Sequence, residues 1–321
     1  MTVPAQSQAI NVLDHPAALA WRQLSRGQVP VAIERVGRAR RRAKSALWRL
    51  VGGSPSGHSV IAKQSRAATI AVESCVYLTV LGPLGVTLPK CYGHVDCGDG
   101  TAWLFLDEVS GARYSEQNVT HRRAASAWLG QMHAVTNKAD SGRDLVPAVT
   151  LERYQLFLES ALANMSRHIG PQIPSDAQSA LSLATSAVAR LQMGWPKVRR
   201  AWCASPICLV HGDFIGKNVI LDERDGRCDI HVLDWEASGW GVPAEDLAGL
   251  DVSVYSSHAS GMWDGYGREH LDTLANIGDA FRAVAFLSNY SKALNMGWFG
   301  DAAEIAHQGS VLAATLDQIA L

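Results

Sequence analysis

The chain contains no Cys-x-x-Cys pair, no internal repeat, no low-complexity tract and no surplus of either charge. Each absence excludes something. The six cysteines are Cys75, Cys91, Cys97, Cys203, Cys208 and Cys228. Cys91 and Cys97 bracket His94, but at a spacing that fits no usual zinc knuckle, so a plain strand-loop-strand segment is expected there. Free thiols in a reducing cytoplasm are the expectation for all six. Basic residues number 29 and acidic ones 30, a formal net charge of -1, which gives no general attraction to nucleic acids or membrane surfaces. No uninterrupted apolar run approaches the length of a membrane helix. The start, Met1 to Gln8, lacks a basic segment followed by an apolar one, so no secretory leader is expected.

What is present is an ordinary globular composition, 47% hydrophobic and 18% charged over 321 residues, long enough for two packed lobes. Residues 1 to about 28 carry a loose helical stripe of Val12, Leu13, Ala17, Leu19, Ala20 and Leu24. Strand-like runs follow at Val29–Ile33, Ala46–Val51 and Ser59–Lys63, the last after the turn Gly52-Gly53-Ser54-Pro55-Ser56-Gly57. A short helix is predicted from Thr69 to Leu81. Two further strands, Leu88–Val95 and Trp103–Asp107, meet at the hairpin tip Asp96–Gly100. Three strands, a helix and two strands make an antiparallel α+β unit. A boundary is expected at Leu106–Gly111, dividing residues 1–108 from residues 109–321.

Beyond it the pattern turns helical. His121–His133 places Ala125, Trp128, Leu129 and Met132 on one face. Leu151–His168 is a second helix, and Ser175-Asp176 opens a third that runs to Met193. Helices resume near Ala244, His270 and Ala302. Between them stands the run Leu209-Val210-His211-Gly212-Asp213-Phe214-Ile215-Gly216-Lys217-Asn218-Val219-Ile220, then His231-Val232-Leu233-Asp234-Trp235-Glu236. It reads as strand, loop, strand, turn, strand. Asp213 and Asn218 lie on the loop, and Asp234 ends a buried strand one hairpin later. A carboxylate to orient a hydroxyl, with an amide and a second carboxylate to hold Mg²⁺ on phosphates, is what metal-assisted phosphoryl transfer requires. Alone, each is an ordinary turn or capping residue; that account does not explain why three arrive at this spacing. Glu236 could reach a second metal, but an ion-paired or solvated acid is the simpler reading.

The spacing His-x-Asp-x-x-x-x-Asn, with an Asp after a later apolar run, resembles the catalytic and metal loops of kinase-like folds. With Gly212 after the His and Trp235-Glu236 after the later Asp, the chain is similar to the aminoglycoside phosphotransferase and choline kinase-like family. The helix end Trp128-Leu129-Gly130-Gln131-Met132-His133 also looks typical of it. The resemblance covers residue 30 to the end. It implies a bilobal protein-kinase-like α+β fold, with an N-terminal nucleotide-binding lobe of antiparallel sheet plus helix and a mostly helical C-terminal lobe. It implies ATP or GTP bound near Asp107–Val109, with Asp107 and Val109 as nucleotide contacts. Asp213 would be the catalytic base and Asn218 and Asp234 the Mg²⁺ ligands. His211 would brace the loop, and Asp246 would tie it down; an acid in the first turn of a helix is also favoured by the helix dipole.

Lys63 follows the apolar Val60-Ile61-Ala62, and a Lys aimed inward from a strand needs a partner. The resemblance makes it the Lys on the α- and β-phosphates, and Glu73 its helix partner. Read without the resemblance, the two are an edge-strand charge and a surface acid. The stretch from Arg35 to Lys44 lies where a phosphate-covering loop belongs but has one Gly and a run of arginines; a solvated turn is favoured over direct phosphate contact. No aromatic interleaves with it, so nucleic acid is not an expected partner. Where protein kinases carry a charge-neutralising Lys, two residues after the base, stands Ile215; Lys217 is the substitute in reach.

The function expected is transfer of a nucleotide γ-phosphate to a hydroxyl of a small molecule, foremost an antibiotic such as an aminoglycoside, which would make it a resistance kinase. The alternatives are a metabolic kinase for a sugar, amino alcohol or amino acid, and a degenerate kinase fold used for binding. Glu236, Glu245, Asp251 and Asp264 are candidate acids for a cationic acceptor, and Trp240, Tyr255, Trp263 and Tyr266 candidate stacking residues, though such aromatics more often belong to the core.

Overall fold

The computed structural model describes residues 12–37, 44–170, 175–224, 227–297 and 302–319. In chain order its helices are α1 (Pro16–Leu24), α2 (Ala67–Cys75), α3 (Val119–Asn137), α4 (Leu151–His168), α5 (Ser175–Met193), α6 (Trp195–Cys203), α7 (Ala244–Leu247), α8 (Val252–His258), α9 (Arg268–Leu294) and α10 (Ala302–Gln318). Its strands are β1 (Ala32–Val36), β2 (Ala46–Val51), β3 (Val60–Arg66), β4 (Cys91–Asp96), β5 (Thr101–Asp107), β6 (Ala112–Arg113), β7 (Cys208–Val210), β8 (Val219–Arg224), β9 (Arg227–Val232) and β10 (Gly239–Gly241). The class is α+β with a kinase-like order of elements. Two compact units form: one holds residues 1–113, 144–146 and 218–236, the other residues 114–143, 147–217 and 237–321.

The first unit is built on a sheet in the order β1-β2-β3-β5-β4, antiparallel throughout. β3 buries Val60 and Ala62 on one face and Lys63 and Ser65 on the other, while Ile61 and Gln64 are only half-buried. α1 starts where His15 Nδ1 accepts the Ala17 N–H at 3.1 Å and Pro16 supplies a preset φ. Its Ala17, Ala20 and Trp21 close over Leu50, Val60, Ala62, Trp103 and Phe105 to make the core of this unit. The Trp21 indole N–H, which burial obliges to find a partner, donates to Gly53 O at 3.0 Å.

Several sequence expectations are corrected here. The first strand lies at Ala32–Val36 rather than Val29–Ile33. Pro30 has no N–H to give a ladder; pairing starts where Val31 N–H meets Val51 O at 2.8 Å. The N-terminal helix ends at Leu24, and the part of that expectation before residue 12 lies outside the described residues, as do residues 38–43 of the basic stretch. α2 continues through a π-helical turn, Val76–Leu81, and a 3₁₀ turn, Gly82–Leu84. The resulting Ala67–Leu84, 18 residues, is by length and composition apolar enough to cross a membrane, although Glu73 interrupts its apolar run. It carries Ile70, Glu73, Val76, Tyr77, Val80 and Leu81 buried within its unit. His94 stays in a strand, bonded to Ser74 Oγ at 2.9 Å, as a plain strand-loop-strand segment requires.

The second unit is helical. Tyr154 of α4 and Phe281 of α9 stack at 4.0 Å and 11°, the aromatic centre of its core. Gly278 of α9 lies where a Cβ would come within 1.8 Å of Ala244 O, so only a glycine lets α9 approach α7 this closely. The short α7 it packs against carries Asp246. β7 and β10 pair antiparallel, Val210 opposite Gly239, and give a rigid exit for the chain into residue 211.

Candidate active site

In the first unit, β3 and α2 bring Lys63 and Glu73 together in a dry environment. Lys63 is 7% and Glu73 0% exposed. Lys63 Nζ donates to Glu73 Oε1 at 2.6 Å and to Asp234 Oδ1 at 2.5 Å. Burial by itself would lower the Lys63 pKa; the charges and hydrogen bonds of Glu73 and Asp234 outweigh it and hold it above its ordinary value. Burial lifts Glu73 to about 7, against the pull of Lys63. Glu73 Oε2 is buried without a hydrogen-bond partner.

The hairpin β8–β9 delivers the other two groups. Its ladder opens at Val219 opposite Val232, and Leu233 N–H donates to Asn218 O at 2.8 Å. Asn218 and Asp234 therefore stand at the same end of one ladder. Asp234 has φ +65°, a left-handed conformation that Asp tolerates better than most residues. Behind it Trp235 is fully buried with its ring 6.4 Å from that of Tyr77, whose hydroxyl donates to Val232 O at 3.3 Å. Oxygen atoms of Glu73, Asp234 and Glu236 lie within 4.8 Å of one another. Such a hard-oxygen set, with Asn218 at the same ladder end, suits Mg²⁺. Lys44 approaches Glu236 at 4.0 Å, so Glu236 also has the ion-pair role expected for it.

At the end of β5, Asp107 accepts from Tyr92 Oη at 2.5 Å, and its N–H donates to Lys90 O. Glu108 takes a bidentate grip from Arg49. Val109 lies beyond the strand, half-buried.

The second unit holds the loop after β7. His211 is fully buried, and its Nδ1 accepts the Asp213 N–H at 3.2 Å. Gly212 has φ +71°, and a Cβ there would meet Ala237 O at 2.6 Å, which explains glycine at this position. Asp213 is paired with Lys217 at 2.8 Å. Asp246, wholly buried, accepts the N–H groups of His211 at 2.6 Å and Gly212 at 2.9 Å and contacts His133 Nε2 at 3.3 Å. Burial would raise its pKa, but the His133 hydrogen bond and charge, with those of His211, leave it below the ordinary value. His133 in turn meets Tyr255 Oη at 3.0 Å, and Trp263 Nε1 donates to that hydroxyl at 3.3 Å. Tyr255 is therefore core, as is Trp263; Asp251 caps α8, and Glu245 accepts from Tyr154 Oη at 2.9 Å.

The structure thus brings Lys63, Glu73, Asp234 and Asn218 into one unit, and His211, Asp213, Lys217 and Asp246 into the other. Sequence reasoning missed His133, Arg153 and Arg282. Arg153 and Arg282 each adjoin a core aromatic in the sequence, Tyr154 and Phe281, but no local pattern marks either arginine.

The sequence model of the phosphotransferase enzyme family matches residues 62–280. Among solved structures, the GDP and kanamycin complex of APH(2")-IIia aligns with a TM-score of 0.63 at 14% identity, over 91% of this chain and 97% of that one. A thermostable mutant of aminoglycoside phosphotransferase APH(4)-Ia, in ternary complex with ADP and hygromycin B, gives 0.58 at 12% identity, over 92% and 96%. Choline kinase from Cryptosporidium parvum Iowa II gives 0.57 at 11% identity, over 90% of each chain. At such identities the likeness is one of fold. A 48-residue segment is 48% identical to acyl-CoA dehydrogenase family member 11 of Mus musculus, covering 15% of this chain and only 6% of that protein.

Proposed function

Since this chain belongs to the phosphotransferase enzyme family, we propose that it moves the γ-phosphoryl group of ATP or GTP to a hydroxyl of a small molecule. The observation that carries the reading is Lys63 held between Glu73 and Asp234, with Asn218 at the same ladder end as Asp234. In this reading Lys63 grips the α- and β-phosphates and Glu73 keeps its ammonium in place. Asn218 and Asp234 would hold Mg²⁺, which supplies charge neutralisation on the phosphates. Asp107 and Val109 would flank the nucleotide base. Asp213 orients the acceptor hydroxyl and takes its proton late, because the transition state is loose. His211 and Asp246 fix the loop that carries Asp213.

The acceptor is assigned to a cavity of about 440 Å³ in the second unit, whose wall includes Ile215, two residues past Asp213, together with Glu116, Asp279, Arg282 and Phe286. Its wall mixes apolar side chains with Arg282 and two acids, Glu116, which pairs with Arg282, and Asp279; the second acid favours a hydroxylated molecule with a basic group, foremost an aminoglycoside-type antibiotic. Neighbours in complex with kanamycin and hygromycin B support that choice. The choline kinase neighbour supports a second reading, an amino alcohol of metabolism. The free thiols suit a reducing compartment such as the cytoplasm.

The test is a screen of Mg²⁺-dependent ATP and GTP consumption against a panel of aminoglycosides, other hydroxylated antibiotics, sugars and amino alcohols. An antibiotic hit supports the first reading, and an amino alcohol hit the second. Failure to bind either nucleotide with Mg²⁺ would discard both and leave a binding module.

A further inference from the structure

Asp213 sits between two peptide carbonyls that are each held by an arginine. Gly212 O accepts from Arg153 Nη2 at 3.3 Å. Phe214 O accepts from Arg282 Nη2 at 3.3 Å. The two arginines come from different helices, α4 and α9, and meet the loop on the two sides of the same residue. Each is anchored elsewhere. Arg153 Nη1 donates to Ala237 O at 2.9 Å, and its guanidinium lies 5.8 Å from the Tyr154 ring centre. Arg282 Nη1 pairs with Glu116 Oε1 at 2.5 Å, and its Nη2 also reaches Ala248 O at 3.2 Å, beside the helix that carries Asp246.

The chemistry of the loop calls for such donors. Backbone carbonyls shut away from water need partners, and several of the loop's own N–H groups are taken elsewhere: those of His211 and Gly212 by Asp246, that of Asp213 by His211 Nδ1 and that of Ile215 by Asp213 O. A planar guanidinium offers several donors in fixed directions, and bonds from a charged donor are stronger than those between neutral groups. Gly212 shares in the arrangement: a Cβ there would stand 3.3 Å from Arg153 Nη1. An acid holding the N–H groups and two cations holding the carbonyls leave the loop little freedom to rotate its peptides.

We propose that Arg153 and Arg282 are positioning residues that set the direction of the Asp213 carboxylate. The proposal rests on Asp213 being the base of the proposed transfer. Neither arginine touches the reacting atoms; both act through the peptides on either side of Asp213. Arg282 also lines the cavity assigned to the acceptor, so the residue that holds Phe214 O borders the space the hydroxyl would occupy.

The experiment uses the full chain with Arg153→Ala, Arg282→Ala and the corresponding Lys variants. Hydrogen exchange is followed in peptides spanning residues 211–217 and, as controls, in α4 and α9. Turnover is followed as Mg²⁺-ATP and Mg²⁺-GTP consumption, with water as acceptor and with any acceptor found by screening. The expected result is that each Ala variant speeds exchange in the loop by ~10-fold or more while helix interiors stay protected. Turnover falls on the order of 100-fold with nucleotide KM within about 2-fold, since misplacing a reacting group costs rate rather than nucleotide affinity. The Lys variants recover part of both, and added guanidinium ion restores part of the Ala variants' turnover without affecting the wild type. Loop exchange equal to the wild type, or exchange rising equally in loop and helices, overturns the proposal. If the wild-type chain consumes no nucleotide, the proposed transfer fails, and the exchange experiment still decides what the arginines hold.

Discussion

Asp246 and His211 stand 35 positions apart in the chain, yet the carboxylate of one accepts the backbone N–H of the other at 2.6 Å. The same carboxylate takes Gly212 N–H at 2.9 Å. Removing it in Asp246→Ala leaves two buried donors unmet, and that residue is wholly buried. The expected cost is about 3 kcal/mol or more, read as a fall in the calorimetric midpoint of several degrees. Asp246→Asn keeps one acceptor oxygen and is expected to lose less. An Ala variant as stable as the wild type would show that the loop does not depend on this carboxylate.

Lys63 is held by Glu73 at 2.6 Å and Asp234 at 2.5 Å. Asp234→Asn is the informative variant, because asparagine tolerates the left-handed backbone of this position, φ +65°, where alanine would add strain. It is expected to fold normally and to bind ATP or GTP equally with Mg²⁺ or with EDTA. Lys63→Met is expected to weaken nucleotide binding ~10-fold or more while leaving the fold, because Glu73, already pushed up to about 7 by burial, takes a proton once its partner is gone. Calorimetric titration with each nucleotide checks both. Retained Mg²⁺ dependence in Asp234→Asn would remove Asp234 from the metal site.

Much of the fold could be read from the residues, and the reasons differ by element. The helix bounds Leu151–His168 and Ser175–Met193 were legible because long stretches have a clear 3.6-residue period and helix-forming composition. The strand Ala46–Val51 was legible as a short apolar run around Trp48 closed by the Gly-rich turn after it. α6 was missed because Gly194-Trp195-Pro196 reads as a break, whereas Pro196 occupies the first turn of a helix, where proline is welcome. That Lys63 pairs with Glu73 was legible only through the family resemblance, and that Asn218 and Asp234 stand at one ladder end through motif spacing and the strand pattern. Arg153 and Arg282 were not: which carbonyls an arginine meets depends on helices packed from distant parts of the chain, and no local spacing encodes that.

Lys217 Nζ reaches Asp213 Oδ2 at 2.8 Å, four residues apart on the loop, with the Lys side chain 57% exposed. This is the position from which it could replace the cation that protein kinases place two residues after the base. An exposed ion pair adds little to stability, about 0 to 1 kcal/mol, so Lys217→Ala is expected to leave the unfolding midpoint within a degree or two. Turnover in the same variant is expected to fall ~10-fold. A normal rate would assign the pair no part in transfer.

Burial lifts Glu245 to about 7, with the Arg153 charge and the Tyr154 hydrogen bond pulling the other way. Unfolded, the same carboxyl titrates near 4.5. Between those values the folded chain holds more protons than the unfolded one, so stability falls as pH rises through the window. Asp279, raised to about 6 by burial, and Glu73, raised to about 7, act with the same sign. His15 and His270, lowered by burial, act with the opposite sign near 6.5. Asp246, lowered by its hydrogen bonds, matters only below its ordinary 3.8. Glu245→Gln isolates one share: its amide oxygen still accepts from Tyr154 Oη but does not titrate. The variant is expected to gain on the order of 1 to 3 kcal/mol on the wild type at pH 8 relative to pH 5, read from unfolding midpoints across that range. Parallel curves for the two proteins would mean that Glu245 is ionised at no cost.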